Sequence, residues 1–299
     1  MSHAAAKTAS PAGRTRDPFL LLAVPSLLLL GMLFALPIAF LLLKSFRDAD
    51  GALSVAGYIA FFSDPYMLTA LRRTIVIAFE TTLLTLVLGY PTAFALARAR
   101  GFVQTCILIA MILPLSVGVI VKAFAWSIVF RSDGVINKTL LGLGIIDEPL
   151  RLLFTETALV IGAANIFLPF MVLPIYAVIR QINPNLGPAA ATLGAGPFFR
   201  FFRVTLPLTL PGVVAGAAFV FSMAVSMYVI PNLIVGERSQ MLSMLIARSF
   251  LYLRDEQMGS TMSAVLLVIA AMIVIASSIV LKRLSGRQAC PLRTGSQRR

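Results

Sequence analysis

The sequence predicts an all-α integral membrane protein with six transmembrane helices and both termini cytoplasmic. Three observations carry that prediction. The 299 residues are 59% hydrophobic and only 12% charged, with a mean hydropathy of +0.93, where a soluble domain would hold about a quarter charged residues. The apolar residues fall into six runs, each reaching the roughly twenty residues a helix needs to cross about 30 Å of hydrocarbon. The charge is lopsided: one set of connections holds 14 Lys/Arg and a single acid, Asp17, against ten Lys/Arg and ten acids in the other set. None of the runs alternates in the way a membrane β-strand would.

Taken in order, residues 1–17 form a small, polar, basic arm with Lys7, Arg14 and Arg16, of a composition that predicts disorder. The first apolar run covers 19–43. It is too long for a signal-peptide core and no small-residue cleavage site closes it, so it reads as a retained span. A polar connection (44–71) leads to the second run, 74–97, which ends in the basic turn Arg98-Ala99-Arg100-Gly101. The third run is 102–130, followed by a polar loop at about 131–156. The fourth, 157–179, contains Pro169 and Pro174. The fifth and sixth are 207–230 and 260–281, separated by a polar stretch (231–259), and a basic tail closes the chain at 282–299. The organisation is thus an arm (1–17), a first helix with its outer loop (18–73), a five-helix core (74–281) with a connection at 180–206, and the tail.

Because the basic side of a membrane protein faces the cytoplasm, both ends and the 180–206 connection are expected there. The net charge of +13 then reports topology and contact with anionic membrane lipid. No basic patch is interleaved with aromatics, so no nucleic acid is expected. Cys106 and Cys290 cannot build a disulfide framework, and His3 is the one histidine. No Cys/His cluster and no Gly-rich phosphate loop is present in the sequence. A metal site and a nucleotide site on this chain are therefore not expected, and any ATP-driven work needs a second polypeptide.

The most informative stretch is 183–212. Asn183-Pro184 and Gly187-Pro188 are helix-start signals, since proline fits the first turn where its missing N–H is not needed. Ala189, Ala190 and Ala191 let another surface approach the backbone closely. Thr192 and Leu193 lead to Gly194, a helix stop. Phe198, Phe199, Phe201 and Phe202, with Arg200 and Arg203, make a sticky basic follow-on before Leu206-Pro207 opens the next run. A short helix held between two spans is shaped to be gripped by a soluble partner.

This segment resembles the "EAA" loop of ABC-importer permease subunits: Glu-Ala-Ala, three residues, Gly, then hydrophobic-Leu-Pro about a dozen residues on. Ala189, Ala190, Gly194, Leu206 and Pro207 match, whereas Pro188 stands where the pattern has glutamate. The resemblance extends from about Thr74 to the sixth span. Leu88-Gly89-Tyr90-Pro91 with Ala97-Arg98, Lys122-Ala123-Phe124-Ala125-Trp126, Gly134-Val135-Ile136-Asn137 and 168–174 (LPFMVLP) are similar to the polyamine (spermidine/putrescine) type. It implies a six-span, non-enzymatic permease subunit of the bacterial inner membrane that pairs with a second, paralogous permease. Two copies of a cytoplasmic ATPase, which hold the ATP and magnesium, would dock on the coupling helix, and an extracytoplasmic solute-binding protein would deliver the cargo. The implied ATPase-coupling residues are Pro188, Ala189, Ala190, Thr192, Leu193, Gly194, Phe198 and Arg203. The cargo implied is a polyamine, with aminoethylphosphonate or another organic or inorganic ion as the alternative.

Polar groups inside the spans point to a pathway. Charges in a membrane are costly, roughly 2.5–3.5 kcal/mol each on insertion scales, and face a bundle interior or a water-filled cavity. Counted along straight spans, Glu80 and Lys122 both lie roughly 10–12 Å below the outer surface. They are expected to pair there or to line the outer pathway together. Trp126 offers a ring face to a cation, and Asn165, Ser222, Ser226 and Tyr228 are further pathway candidates. Interhelical hydrogen bonding and interfacial belts are the competing explanation for such residues. A stand-alone secondary transporter would need its own coupling charges and an internal repeat. A membrane enzyme would need clustered His, Asp, Glu or Cys. The spans show no clear repeat and no such cluster, and they hold two charges, Glu80 and Lys122.

Overall fold

The computed structural model describes residues 18–47 and 51–288. The arm at 1–17 and the tail beyond 288 lie outside the described residues. Helix α1 (Pro18–Ser45) is apolar on every side, and its span is not buried within the chain. A helix of that kind belongs in lipid or against another protein. It packs on α13 (Glu256–Gln288), and a Lys44–Glu256 ion pair joins the C-terminal end of α1 to the N-terminal end of α13. Ser45 Oγ shares a 2.8 Å hydrogen bond with Tyr58 Oη of α2 (Ala56–Ser63).

Helix α3 (Pro65–Arg98) starts well before residue 74. Pro65 sits at its first position, and the Asp64 carboxylate accepts the Tyr66 N–H at 2.8 Å, a strong start signal inside a stretch whose low hydropathy reads as loop.

The third apolar run is not one straight span. It splits into α4 (Phe102–Ser116) and α5 (Val119–Val129), bent by 105° across Val117-Gly118. The helix continues through Pro114 to Ser116, and Val117 then leaves it with φ −85° and ψ 128°. Five described helices are long and apolar enough to span, and the bent pair makes a sixth if counted as one. The expectation of six continuous spans is corrected to that extent.

The loop after α5 holds α6 (Val135–Gly142). Asn137, fully buried, is its clasp: the amide donates to the carbonyls of Arg131 (3.1 Å) and Leu150 (2.9 Å) and accepts from the Leu150 N–H (2.9 Å). Asn137→Ala leaves those partly buried backbone groups without their partner, at a cost of about 1 kcal/mol or more. Limited proteolysis of the purified protein is expected to cut the 131–156 loop of the variant faster than that of wild type.

Helix α7 (Glu156–Gln181) is capped by Thr155, whose Oγ1 accepts the Ala158 N–H at 3.2 Å. It is the central post of the fold, packed against both α3 and α10 (Leu206–Ser226). Between α7 and α10 lie α8 (Leu186–Thr192) and α9 (Pro197–Arg200), and α9 runs through a π-helical turn (Phe201–Thr205) into α10. The three posts meet at small residues. A Cβ on Gly89 would lie 3.0 Å from Met171, one on Gly216 2.9 Å from its sulfur, and one on Gly212 2.9 Å from the Pro174 carbonyl. Gly212 and Gly216 are four apart on one face of α10, the spacing that lets membrane helices cross closely.

The fifth run was expected to reach residue 230, but α10 ends at Ser226. Met227 turns to an extended conformation (ψ 133°), and α11 (Val229–Ile234), a 3₁₀ turn (Gly236–Ser239) and α12 (Leu242–Arg248) fold back into the core. Ile230, Ile234, Met241 and Leu242 are buried, so 231–259 is no simple polar loop. Irregular backbone at this level needs protein partners. Ser243 Oγ donates to the Met227 carbonyl at 2.6 Å, and the Leu242 N–H donates to Thr74 Oγ1 at 2.9 Å. Arg73 links the folded-back segment to α7, reaching the Gln240 carbonyl at 3.5 Å and Glu156 at 2.8 Å.

Candidate coupling surface and transport pathway

The 183–196 stretch folds as its residues predict. The Asn183 side chain accepts the Asn185 N–H at 3.0 Å and opens the turn into α8. At the far end Gly194 adopts φ +83°, the left-handed conformation that costs most residues about 1–2 kcal/mol. Two reverse hydrogen bonds close the helix there, Gly194 N–H to the Ala191 carbonyl and Ala195 N–H to the Ala190 carbonyl, both 3.0 Å. Thr192 Oγ1 donates to the Ala189 carbonyl at 2.8 Å. Pro188 lies in the first turn and leaves no intrahelical hydrogen bond missing.

The surface around this helix is apolar and open. Leu193 is 88% exposed and Phe198 79%, with Phe199 and Phe202 also exposed. Arg203 lies 5.6 Å over the Phe199 ring. Phe201 turns inward and meets Tyr90 edge-on at 5.8 Å and Phe94 at 6.3 Å. Tyr90 Oη in turn shares a 3.0 Å hydrogen bond with Thr209. The segment after α8 is thereby anchored to α3 and α10, so a push on the loop reaches two of the central posts directly.

The pathway candidates do not form one cluster. Trp126 of α5 and Asn165 of α7 meet, Nε1–H donating to Oδ1 at 3.2 Å, with Trp126 stacked on Phe130 at 5.0 Å. Ser226 and Tyr228 line a separate cavity of about 420 Å³ with Ser243 and Ser263, between α10, α12 and α13. Tyr228 sits beyond the end of α10, not within the span where it was expected. Ser226 Oγ bonds back to the Ser222 carbonyl at 2.9 Å, while Ser222 Oγ is buried without a partner. Glu80 is exposed at the middle of α3, and Lys122 lies in the first turn of α5, past the bend. The described ion pairs are Lys44–Glu256, Arg73–Glu156 and Arg131–Asp133, and Glu80–Lys122 is not among them. The equal depths expected of these two residues count from span ends at residues 74 and 130; α3 begins earlier, at Pro65, whereas α5 ends at Val129. The Gly212/Gly216 pair and the fold-back after Met227 went unread in the sequence. The four-residue glycine spacing signals the first, and the short apolar run at 241–247 (MLSMLIA) signals the second.

A bundle of long apolar helices around a central post is the architecture of a multi-pass membrane protein. The chain belongs to the family of binding-protein-dependent transport system inner membrane components, whose model matches residues 85–288. It is therefore an ABC-importer permease, and not itself an enzyme. It is 34% identical over 212 residues to the spermidine/putrescine transport system permease protein PotB of Escherichia coli, covering 71% of this chain and 77% of that one. The Haemophilus influenzae PotB is 31% identical over 245 residues, covering 80% and 85%. Among solved structures, a bacterial alginate ABC transporter in complex with alginate pentasaccharide-bound periplasmic protein superposes with a TM-score of 0.75 at 17% identity, covering 90% of this chain and 96% of that one. At that identity the likeness concerns the fold.

Proposed function

We propose that this permease is one half of the membrane pathway of a polyamine importer, carrying spermidine, putrescine or a similar small cation. The observation that carries the reading is the 31–34% identity to spermidine/putrescine permeases over most of the chain. In this reading both termini are cytoplasmic and the protein is a multi-pass inner-membrane subunit, as the charge asymmetry supports. Helix α8 is the coupling helix, gripped by one of two cytoplasmic ATPase subunits that hold ATP and magnesium. A paralogous permease completes the pathway and an extracytoplasmic binding protein delivers the cargo. ATP-driven closure of the ATPase pair draws the two coupling loops together. Each loop drives its own α3 and α10, and the two permeases switch as rigid bodies between inward and outward packings.

The exposed side of α3 suits a shared pathway. Val76, Phe79, Leu83 and Val87 are exposed along it at helical spacing, with Glu80 beside Phe79. Unpaired in lipid, Glu80 would be costly; facing a pathway shared with the second permease, it meets water and a cationic cargo. The Glu80→Gln, Lys122→Met double variant is expected to lower polyamine uptake by about tenfold, measured with labelled putrescine and spermidine in cells lacking their own uptake systems. Uptake at the wild-type rate by a normally inserted variant would remove both residues from the pathway. In the same assay, labelled polyamine should enter and resist competition by aminoethylphosphonate. The reverse would keep the machine and change the cargo.

A further inference from the structure

A basic cavity of about 560 Å³ lies between the end of α3, the end of α7 and the loop leading into α8. Arg98, Arg100 and Arg180 line it, with Gln104 and Asn183 as further polar groups, and no Asp or Glu does. Among the described residues none of these arginines takes part in an ion pair. Arg98 is held in place 4.1 Å over the Phe94 ring. Arg98, Arg100 and Arg180, each exposed, make the concavity basic, and planar guanidinium donors suit phosphate oxygens. The volume falls within the range of small-molecule pockets, roughly 300–1,000 Å³.

What adjoins the cavity narrows the ligand. Directly after the Arg98–Arg100 turn, Phe102 is 82% and Val103 57% exposed, and α4 buries none of its residues. The cation cluster therefore runs straight into an apolar helix flank. A free phosphate compound would use the arginines alone. An amphiphile with an anionic head and acyl chains would use both surfaces, and basic pockets between helices on the cytoplasmic side hold such headgroups.

We propose that this cavity binds the phosphate headgroup of an anionic phospholipid of the inner leaflet, whose acyl chains lie along α4. The proposal rests on the orientation given above, with α8 in the cytoplasm. A phosphate shared by Arg98 and Arg180 ties the ends of α3 and α7 together at the root of the α8 loop. A bound lipid would thus stiffen the junction through which the loop moves the core.

The test is native mass spectrometry of the full chain, titrated with phosphatidylglycerol and with zwitterionic phosphatidylcholine. Phosphatidylglycerol should be retained preferentially, and Arg98→Gln and Arg180→Gln should each weaken its binding roughly fivefold. Arg98→Lys should lose less than Arg98→Gln, and Arg254→Gln at the opposite end should change nothing. Equal retention of the two lipids by wild type would overturn the proposal, whatever the variants do. Glycerol phosphate binding as tightly as phosphatidylglycerol would overturn it in favour of a free phosphate compound. Orientation is read separately, from labelling of Asn185→Cys by a membrane-impermeant thiol reagent applied to intact cells. Labelling from outside would overturn both the orientation and this proposal, whereas lipid selectivity without ATPase association would count against the importer assembly alone.

Discussion

Replacing Leu193 and Phe198 with aspartate is expected to strip the ATPase from the purified complex and abolish ATP-dependent uptake. The chain should still insert and remain monodisperse in detergent. Leu193 follows the last residue of α8 and is 88% exposed; Phe198, 79% exposed, follows within the same loop. Neither side chain contributes to the core of this chain, so removing them costs the fold little. Each is a large apolar group that a cleft in a partner can desolvate, and central anchors of this kind are worth about 2 kcal/mol or more each. Aspartate adds the cost of burying a charge with no partner. The closure of this helix does not depend on residue 188, because Gly194 and the two reverse hydrogen bonds close it from the other end. ATPase co-purification measured against wild type decides the matter, with circular dichroism showing whether the helical content is unchanged.

Putting valine at both Gly212 and Gly216 is expected to destroy the permease outright. A Cβ at 212 would lie 2.9 Å from the Pro174 carbonyl oxygen and 3.0 Å from the Ile175 Cα, which are backbone atoms with no rotamer to change. At 216 it meets the Met171 sulfur at 2.9 Å and the Met171 carbonyl at 3.1 Å. Met171 is itself fully buried, with Gly89 of α3 at its other side. Overpacking one such site costs about 1–3 kcal/mol, and here two sites on one crossing must both give. The thermal unfolding midpoint of the detergent-solubilised chain should fall sharply, or the chain should aggregate. Alanine at both positions would be milder, since a single methyl group asks less of the same contact.

The spans were legible in the sequence because bilayer thickness imposes length and hydropathy directly, and α7 and α13 come close to the runs read for them. The short helix α8 was legible too, since its start and stop depend on nearby residues: Asn183, the alanines and Gly194. What could not be read depended on partners far along the chain. Pro114 and Gly118 mark a possible break, but whether a span bends by 105° depends on what lies beside it, here α7 and α11 packed on α5. The segment after Met227 reads as a polar connection because its charges lie between short apolar pieces, none long enough to span. Its burial depends on Thr74, Arg73 and Ser243 finding its backbone. Depth counted from an apolar boundary depends on where the helix begins, and the capped helix α3 begins earlier, at Pro65, than its hydropathy does. Trp126 and Asn165, flagged separately, proved to be hydrogen-bonded partners.

The central claim is that this chain works as the permease of an ATP-driven assembly, coupled through the α8 loop. The most direct measurement is to purify the tagged chain from its native membranes in mild detergent and identify what accompanies it by mass spectrometry. The account predicts an ATPase and a second permease with wild type, and loss of the ATPase alone with the Leu193→Asp, Phe198→Asp variant. Recovery of the chain alone, still moving solute into liposomes without ATP, would contradict it.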